Sequence, residues 1–235
     1  MWRELLKTGE RGVATRSEES LQAAREAMVE EQIRRRGILD EGVLRAMRTV
    51  PRHEFVSVGL RDTAYEDAPL PIGEEQTISQ PYMVASMTAS LGLRKTERVL
   101  EVGTGCGYQA AILACLAREV HSVELRPELA KAASERLRRL GYGNVTVHCA
   151  DGSYGLEEFA PFDAILVAAA APRVPEPLLA QLSDGGRMIV PVGEEDITTL
   201  VLVKKHGCEF VFERRESCRF VPLVGHHGWR APSHQ

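Results

Sequence analysis

The stretch that decides the fold is Val99-Leu-Glu-Val-Gly-Thr-Gly-Cys-Gly-Tyr108. Its first residues have the apolar character of a buried strand, and an alanine- and leucine-rich helix is predicted after it, to about residue 117. Gly103, Gly105 and Gly107 stand between the two elements. Glycine lets a backbone turn tightly and approach a ligand without a Cβ in the way. The stretch therefore predicts a strand–turn–helix unit whose turn faces a ligand.

Strands and helices alternate around this unit. Strands are predicted over 120–125, 145–148, 163–168 and 187–192, and helices over 83–91, 127–141 and 177–182, with a turn at Gly185 and Gly186. Two β-rich runs, 199–204 and 209–213, follow, and a last segment over 219–224 is interrupted by Pro222. This order predicts an α/β fold, a doubly wound, mostly parallel Rossmann-like sheet with an antiparallel edge, N-terminal helices and a C-terminal β-rich segment.

The residues before the unit predict two helices and a long loop. Ser17 is a candidate N-cap for a helix to about residue 36, and Asp40 caps a second helix that Pro51 ends. The stretch 60–82 has few periodic apolar positions, which predicts a structureless loop suited to act as a lid. We predict a single domain over 17–225, composed of helices and loop (17–82), a ligand-binding core (83–193) and a C-terminal segment (194–225). A flexible extension (1–16) and a flexible tail (226–235) flank it.

Composition and charge argue against a nucleic-acid-binding, membrane or secreted protein. The 235 residues carry a formal net charge of −4 and are 44% hydrophobic, which is ordinary for a globular protein. This balance gives no drive toward nucleic acid or anionic membranes, and no secretory signal or membrane span is predicted. The five cysteines are odd in number and form no CxxC pair, so we expect a reducing, cytoplasmic setting and no metal site.

Acidic residues close three successive predicted strands. Glu124 lies where a carboxylate can accept hydrogen bonds from both ribose hydroxyls of an adenosine. Glu101 would repel a pyrophosphate but suits a cationic ligand, and Asp151, followed by Gly152, is placed to bind an adenine amino group. With the GxGxG spacing in place of GxGxxG, these acids favour S-adenosyl-L-methionine over NAD. The alternative is a plain tight turn beside solvated strand-end acids.

Further stretches carry a family resemblance over about residues 28–225. The most specific are Gln76-Thr-Ile-Ser-Gln-Pro-Tyr-Met83 and Arg219-Phe-Val-Pro-Leu-Val-Gly225. Others lie at 28–38, 50–56, 64–67, 69–73, 162–167 and 185–193. On these stretches and the glycine turn, the chain resembles the protein-L-isoaspartate O-methyltransferase family, which has the class I S-adenosylmethionine-dependent fold.

The resemblance implies a repair reaction. A methyl group passes from S-adenosyl-L-methionine to the α-carboxylate of L-isoaspartyl residues in damaged peptides and proteins, leaving S-adenosyl-L-homocysteine. The methyl ester then recloses to a succinimide, whose hydrolysis restores some normal Asp. Ser79 matches the family's active-site serine, whose hydroxyl hydrogen-bonds the acceptor carboxylate. The alternative role for Ser79 is an N-cap of the helix that follows.

The resemblance also implies the remaining site residues. The cofactor-binding set, acids included, comprises Thr77, Glu101, Gly103, Thr104, Gly105, Gly107, Tyr108, Glu124, Leu125, Asp151 and Gly152. The substrate-binding set comprises Ile78, Ser79, Gln80, Cys218, Phe220 and Val221. Extended backbone around 218–221 is expected to pair with the substrate peptide, which suits an enzyme that accepts many sequences.

Other functions stay open at this point. The chain is alternatively another class I methyltransferase, or a relative that binds S-adenosylmethionine or damaged peptides without catalysis. We expect a monomer that binds neither nucleic acid nor membrane. His226 and His227 are assigned to the flexible tail rather than to a metal site, and His53 to a structural role. The charge run 30–36 indicates a solvated helix face.

Overall fold

The computed structural model describes residues 16–194 and 197–230. Its strands are β1 (Leu70–Gly73), β2 (Gln76–Ile78), β3 (Arg98–Val102), β4 (Glu119–Glu124), β5 (Val145–Cys149), β6 (Phe162–Val167), β7 (Leu182–Glu194), β8 (Ile197–His206) and β9 (Glu209–Cys218). Its α-helices are α1 (Glu18–Ala27), α2 (Glu41–Thr49), α3 (Pro81–Leu91), α4 (Tyr108–Ala114), α5 (Pro127–Arg139) and α6 (Glu176–Ala180). None of the described helices is long and apolar enough to cross a membrane.

Seven strands form one sheet in the order β5-β4-β3-β6-β7-β8-β9. The pairs from β5 to β7 are parallel, and the pairs β7–β8 and β8–β9 are antiparallel. This confirms the predicted mostly parallel sheet with an antiparallel edge. The chain leaves β3 toward β4 on one side and returns to β6 on the other, so a topological switch point lies at the carboxyl end of β3. Ligands of open α/β sheets bind at such a point.

The central strands are buried on both faces, as their unbroken apolar runs predict. On β3, Val99 packs into one apolar cluster while Leu100 and Val102 pack into another on the opposite face. A third cluster joins the N-terminal helices to α4 and includes Met47 and Ile112. The N-terminal helices therefore share a core with the element that follows the glycine turn.

The N-terminal helices begin where their caps predict. The Ser17 hydroxyl accepts from the Ser20 N–H, and Asp40 Oδ1 accepts from the Val43 N–H at 2.9 Å. After α1 the chain widens into a π-helical segment, Met28–Ile33, and then tightens into a 3₁₀ turn that stops at Gly37 with φ 94°. The predicted single helix to residue 36 is therefore continuous in path, but it is α-helical only as far as residue 27.

Two predicted connections are more regular than expected. The stretch 60–82 is not structureless, because β1 and β2 pair within it as an antiparallel hairpin. Gly185 and Gly186 do not end a connection before a new strand; they lie inside β7. The β6–β7 register shifts between the pairs Phe162–Leu182 and Ala164–Arg187. The two glycines therefore mark a bulge within β7, not the turn that their sequence predicts, because glycine in a strand often occupies a bulge.

The tail predicted to be flexible from residue 226 is held by hydrogen bonds as far as Trp229. The His226 N–H donates to Asp151 Oδ2 at 2.9 Å, and the His227 N–H donates to Ser153 Oγ at 3.0 Å. The indole N–H of Trp229 donates to the Ala170 carbonyl at 3.0 Å. These contacts correct the prediction, because backbone hydrogen bonds rather than apolar periodicity hold the segment. Residues 231–235, and 1–15 of the predicted extension, lie outside the described residues.

Candidate active site

The glycine turn lies at the switch point. The φ angles of Gly103, Gly105 and Gly107 are 95°, 52° and 89°. These values lie in the left-handed region, which residues with a Cβ rarely adopt. The N–H groups of Gly103 and Thr104 both donate to the Val123 carbonyl of β4, at 2.8 and 3.2 Å. The turn is thereby fixed between β3 and α4, with its backbone open toward the carboxyl edge of the sheet.

Glu101 is a fully buried carboxylate near the end of β3. Its Oε2 accepts a hydrogen bond from the Ser122 hydroxyl, which in turn lies 2.5 Å from Thr104 Oγ1. Its Oε1 is buried and has no hydrogen-bond partner within the described part of the chain. Burial raises the pKa of Glu101 from 4.5 to about 8, although the Ser122 hydrogen bond opposes that rise. A buried carboxylate with one free oxygen is a site prepared for a cationic group.

Glu124 is the last residue of β4, and the turn itself orients it. Its Oε2 accepts from the Gly105 N–H at 2.8 Å, and its Oε1 accepts from the Arg126 N–H at 3.0 Å. Two backbone donors hold the carboxylate in one orientation beside the glycines, where further lone pairs stay available to hydroxyl donors. Leu125, the next predicted residue, is 43% exposed.

Asp151 and Gly152 follow β5, the third adjacent parallel strand. Asp151 Oδ1 accepts from the Ser153 N–H at 2.9 Å, while Oδ2 takes the His226 N–H. Partial burial raises the pKa of Asp151, but these hydrogen bonds outweigh it and hold the pKa below its usual value. Gly152 is buried, and a Cβ there would stand 2.6 Å from Val102 Cγ1. Only glycine lets this turn lie against β3.

One cavity brings predicted cofactor and substrate residues together. Its predicted lining residues are Thr77, Ile78, Ser79, Gly103, Thr104, Gly105, Tyr108 and Phe220. The glycine turn forms one wall, the 77–79 segment after the hairpin forms another, and Phe220 from the C-terminal segment adds a third. The cavity thus lies between the glycine turn, predicted to bind the cofactor, and the 77–79 segment, which contains the predicted acceptor-binding serine.

Ser79 is half-buried in this wall, and the structure excludes its alternative role. The N-cap residue of α3 is Gln80, whose side chain makes no capping hydrogen bond, and Pro81 is the first helical residue. Across the described residues, the Ser79 hydroxyl has no hydrogen-bond partner in the protein. It is therefore available to a ligand in the cavity.

Other predicted residues take different positions. Gln80 turns away, and its amide donates to Asp67 Oδ2 at 3.0 Å. Cys218 Sγ lies 3.4 Å from Thr198 Oγ1, and the Val221 carbonyl accepts from the Ala170 N–H at 2.8 Å. The Val221 carbonyl is therefore already paired within the protein, so in the 218–221 segment it is Phe220 that reaches the cavity.

Tyr108 lines the cavity, and its side chain also contacts the N-terminal segment. Its hydroxyl points to Met47 Sδ at 3.8 Å, and its ring centroid lies 4.9 Å from the guanidinium carbon of the buried Arg52. Tyr108 thus joins the cofactor turn to the N-terminal helices. The same region supports the predicted structural role of His53. Its ring is buried, and Nδ1 forms a hydrogen bond with the Tyr65 hydroxyl at 2.7 Å.

Five residues that line the cavity were not predicted from the sequence. The unpredicted residues are Val84, Met87, Cys106, Gln109 and Ala168. Cys106 lies in the glycine turn and Gln109 in the first turn of α4, so their place next to the motif is a usable signal. Val84, Met87 and Ala168 carry no such signal, because only the packing of α3 and the end of β6 against the turn brings them there.

A glycine turn at the switch point and acids at the ends of three adjacent parallel strands define the Rossmann-like methyltransferase class. Within that class, the chain belongs to the protein-L-isoaspartate(D-aspartate) O-methyltransferase family, whose sequence model matches residues 23–228. The match includes the glycine turn, the 76–83 loop and the C-terminal segment.

Individual relatives agree with this assignment. The chain is 53% identical over 210 residues to protein-L-isoaspartate O-methyltransferase 1 of Syntrophobacter fumaroxidans, covering 89% of this chain and 98% of that protein. A solved protein-L-isoaspartate O-methyltransferase is 35% identical with a TM-score of 0.78, covering 87% of this chain and 67% of that one. A second, from Plasmodium falciparum and in complex with S-adenosyl-L-homocysteine, is 26% identical with a TM-score of 0.74, covering 85% and 98%.

Proposed function

We propose that this chain is a repair methyltransferase that moves a methyl group from S-adenosyl-L-methionine to the α-carboxylate of L-isoaspartyl residues in peptides and proteins. The observation that carries the proposal is the shared cavity, in which Ser79 and the glycine turn face the same space. Membership of the family supplies the reaction class. The cavity supplies a physical reason why donor and acceptor would meet in this particular chain.

The residues at the switch point fit S-adenosyl-L-methionine. The unpartnered Glu101 Oε1 is a buried acceptor suited to the cationic end of the ligand. Glu124, oriented by two backbone N–H groups, would accept from the ribose hydroxyls, with Leu125 beside it. Asp151 and Gly152 would border the adenine. The remaining proposed contacts come from Thr77, Gly103, Thr104, Gly105, Gly107 and Tyr108.

The acceptor side is proposed to centre on Ser79. Its hydroxyl would donate to one oxygen of the isoaspartyl carboxylate and leave the other oxygen facing the cofactor. Phe220 also lines the cavity, where its ring would help to exclude water from the bound substrate. Ile78, Gln80, Cys218 and Val221 would shape the channel for the substrate backbone.

This reaction needs positioning more than proton transfer. A substrate carboxylate is already ionised at neutral pH, so the chain needs no strong general base to activate it. S-adenosyl-L-methionine, when bound, supplies a methyl group made electrophilic by its sulfonium. Ser79 would orient the acceptor carboxylate toward that group, and such orientation can contribute roughly 7 kcal/mol in the best oriented systems.

The product and its fate test the proposal. We expect an isoaspartyl peptide incubated with the protein and S-adenosyl-L-methionine to gain the mass of one methylene, then to lose methanol as the succinimide closes. Further incubation should yield a mixture of Asp and isoAsp peptides. Time-resolved mass spectrometry follows all three species. A methylated peptide that is stable to mild base would contradict the proposal, because it would place the methyl group on nitrogen rather than on a carboxylate.

We further propose that the protein acts in the cytoplasm as a monomer on damaged proteins, and not on nucleic acid, through a single domain over 17–225. The five cysteines are all free, which supports a reducing compartment. The formal net charge of −4 supports an enzyme that must approach damaged proteins of either sign without a strong field.

A further inference from the structure

The helix that follows Ser79 begins without a local cap. The side chain of Gln80, its N-cap residue, makes no capping hydrogen bond, and Pro81 has no N–H to donate. The first free donor of α3 is therefore the Tyr82 N–H. Unpaired N–H groups and a positive dipole end make such a helix start favourable for an acid.

Asp67, from a separate segment, fills this role. Its Oδ1 faces the Tyr82 N–H at 3.5 Å, and its Oδ2 accepts from the Gln80 side-chain amide at 3.0 Å. Arg36 Nη1 donates to the same Oδ2 at 2.7 Å. One carboxylate thus contacts both the side chain of Gln80, the residue after Ser79, and the Tyr82 N–H at the start of α3.

We propose that Asp67 is a positioning residue of the acceptor site, which fixes the start of α3 and thereby the orientation of Ser79. The inference rests on the proposed function of Ser79. Asp67 touches neither the reacting atoms nor the cofactor turn in the described contacts. It acts through Gln80 and Tyr82, the residues that continue the chain from the catalytic serine.

The segment that carries Asp67 is itself firmly held. The buried Arg52 donates from Nε to the Ala64 carbonyl at 2.7 Å, and the Gln32 amide donates to the Tyr65 carbonyl at 2.8 Å. These bonds tie residues 64–65 to the N-terminal core. A side chain two residues further on can therefore transmit a fixed position to α3.

Arg36 and the sheet edge hold α3 from two other directions. The Arg36 guanidinium carbon lies 3.4 Å from the centroid of the Tyr82 ring, so the cation is stacked on the ring while it pairs with Asp67. The Tyr82 hydroxyl faces Glu216 of β9 at 3.4 Å, and the Ser86 hydroxyl donates to the same carboxylate. Arg36, taken from the sequence as part of a solvated face, thus belongs to a network around the acceptor segment.

This network is better suited to placing atoms than to stabilising the fold. The Arg36 and Asp67 side chains are 43% and 29% exposed, and exposed ion pairs contribute little to stability. Misplacing a catalytic group by about 1 Å, in contrast, can cost roughly 100-fold in rate. Loss of Asp67 should therefore reduce turnover far more than it reduces the melting temperature.

The test compares Asp67→Ala with Glu66→Ala, the exposed neighbouring acid, as a matched control. We expect Asp67→Ala to lower kcat for an isoaspartyl peptide about tenfold or more, with S-adenosyl-L-homocysteine affinity and melting temperature near those of the wild type. Amide exchange at 82–84 should become faster than in the wild type. Asp67→Asn keeps an oxygen for the Gln80 amide. This variant should regain part of the lost turnover and part of the slow amide exchange at 82–84. Glu66→Ala should match the wild type.

Each outcome decides the proposal. It is overturned if Asp67→Ala and Glu66→Ala behave alike in turnover and exchange. It is overturned as well if Asp67→Ala loses cofactor affinity and thermal stability in parallel with kcat, which would indicate a general structural role. If the wild type itself does not methylate isoaspartyl peptides, the proposed function fails. The exchange comparison still decides whether Asp67 holds the start of α3.

Discussion

Replacing Ser79 by alanine is expected to lower turnover of an isoaspartyl peptide by roughly 100-fold, because its hydroxyl orients the acceptor carboxylate and a misplaced reacting group costs about that factor. Ser79 lines the cavity and its hydroxyl has no hydrogen-bond partner across the described residues, so its hydrogen-bonding capacity is free for the acceptor carboxylate. It does not cap α3, so its removal leaves the helix start intact. Cofactor affinity should therefore be unchanged.

Steady-state kinetics and calorimetric titration with S-adenosyl-L-homocysteine separate these two effects. Ser90→Ala is a suitable control, since the Ser90 hydroxyl lies near the end of α3 and donates to the Ser86 carbonyl at 2.9 Å. Turnover by Ser79→Ala at the level of Ser90→Ala would show that the serine has no catalytic role.

Replacing Glu101 by glutamine is expected to weaken S-adenosyl-L-methionine binding by about 100-fold and to stabilise the protein without ligand. The first effect follows because a cation loses its buried charged partner, which typically costs about 3 kcal/mol. The second follows because the wild-type carboxylate is fully buried with one oxygen unpaired. The site therefore trades stability for function.

The pH dependence gives this second prediction its sign. The pKa of Glu101 is raised to about 8 from 4.5. Between these values the unfolded chain has lost the proton that the folded chain keeps, so wild-type stability falls as pH rises through that window. Most of the loss is reached by pH 8, and it is complete above about pH 9, where it is on the order of 5 kcal/mol. Glutamine does not titrate, so its advantage should grow from pH 5 to pH 8.

Urea unfolding of both proteins at pH 5, 7 and 8, without ligand, measures this advantage directly. Glu157→Gln, a change at an exposed acid of a 3₁₀ turn, serves as the control for the loss of one negative charge. A constant difference between Glu101→Gln and wild type across this range would contradict the account, as would undiminished binding of S-adenosyl-L-methionine.

The sequence predicted the part of the fold that depends on local pattern. The turn after β3, the acids at strand ends and the antiparallel edge all follow from apolar periodicity and from glycine chemistry. The hairpin of β1 and β2 did not, because its turn residues Glu74 and Glu75 adopt φ of 50° and 57° without the glycine or asparagine that usually marks such a turn. The hairpin that contains this turn packs against the glycine turn through Ile72, which lies next to Gly105.

The candidate site was predictable to the same extent. Residues inside motifs, such as Glu101 and Ser79, could be named from the sequence. Ser122, which donates a hydrogen bond to Glu101, and Asp67, which accepts one from Gln80, lie on other segments and are brought near only by folding. The attachment of His226 to Asp151 is of the same kind, because a backbone N–H leaves no trace in a sequence pattern.

Methylation by this chain should depend on an isoaspartyl residue in the substrate. The most direct measurement uses radiolabelled S-adenosyl-L-methionine with two peptides that differ only in having Asp or isoAsp at one position. We expect base-labile label on the isoAsp peptide and none above background on the Asp peptide. Equal labelling of the two peptides, or labelling of neither, would contradict it.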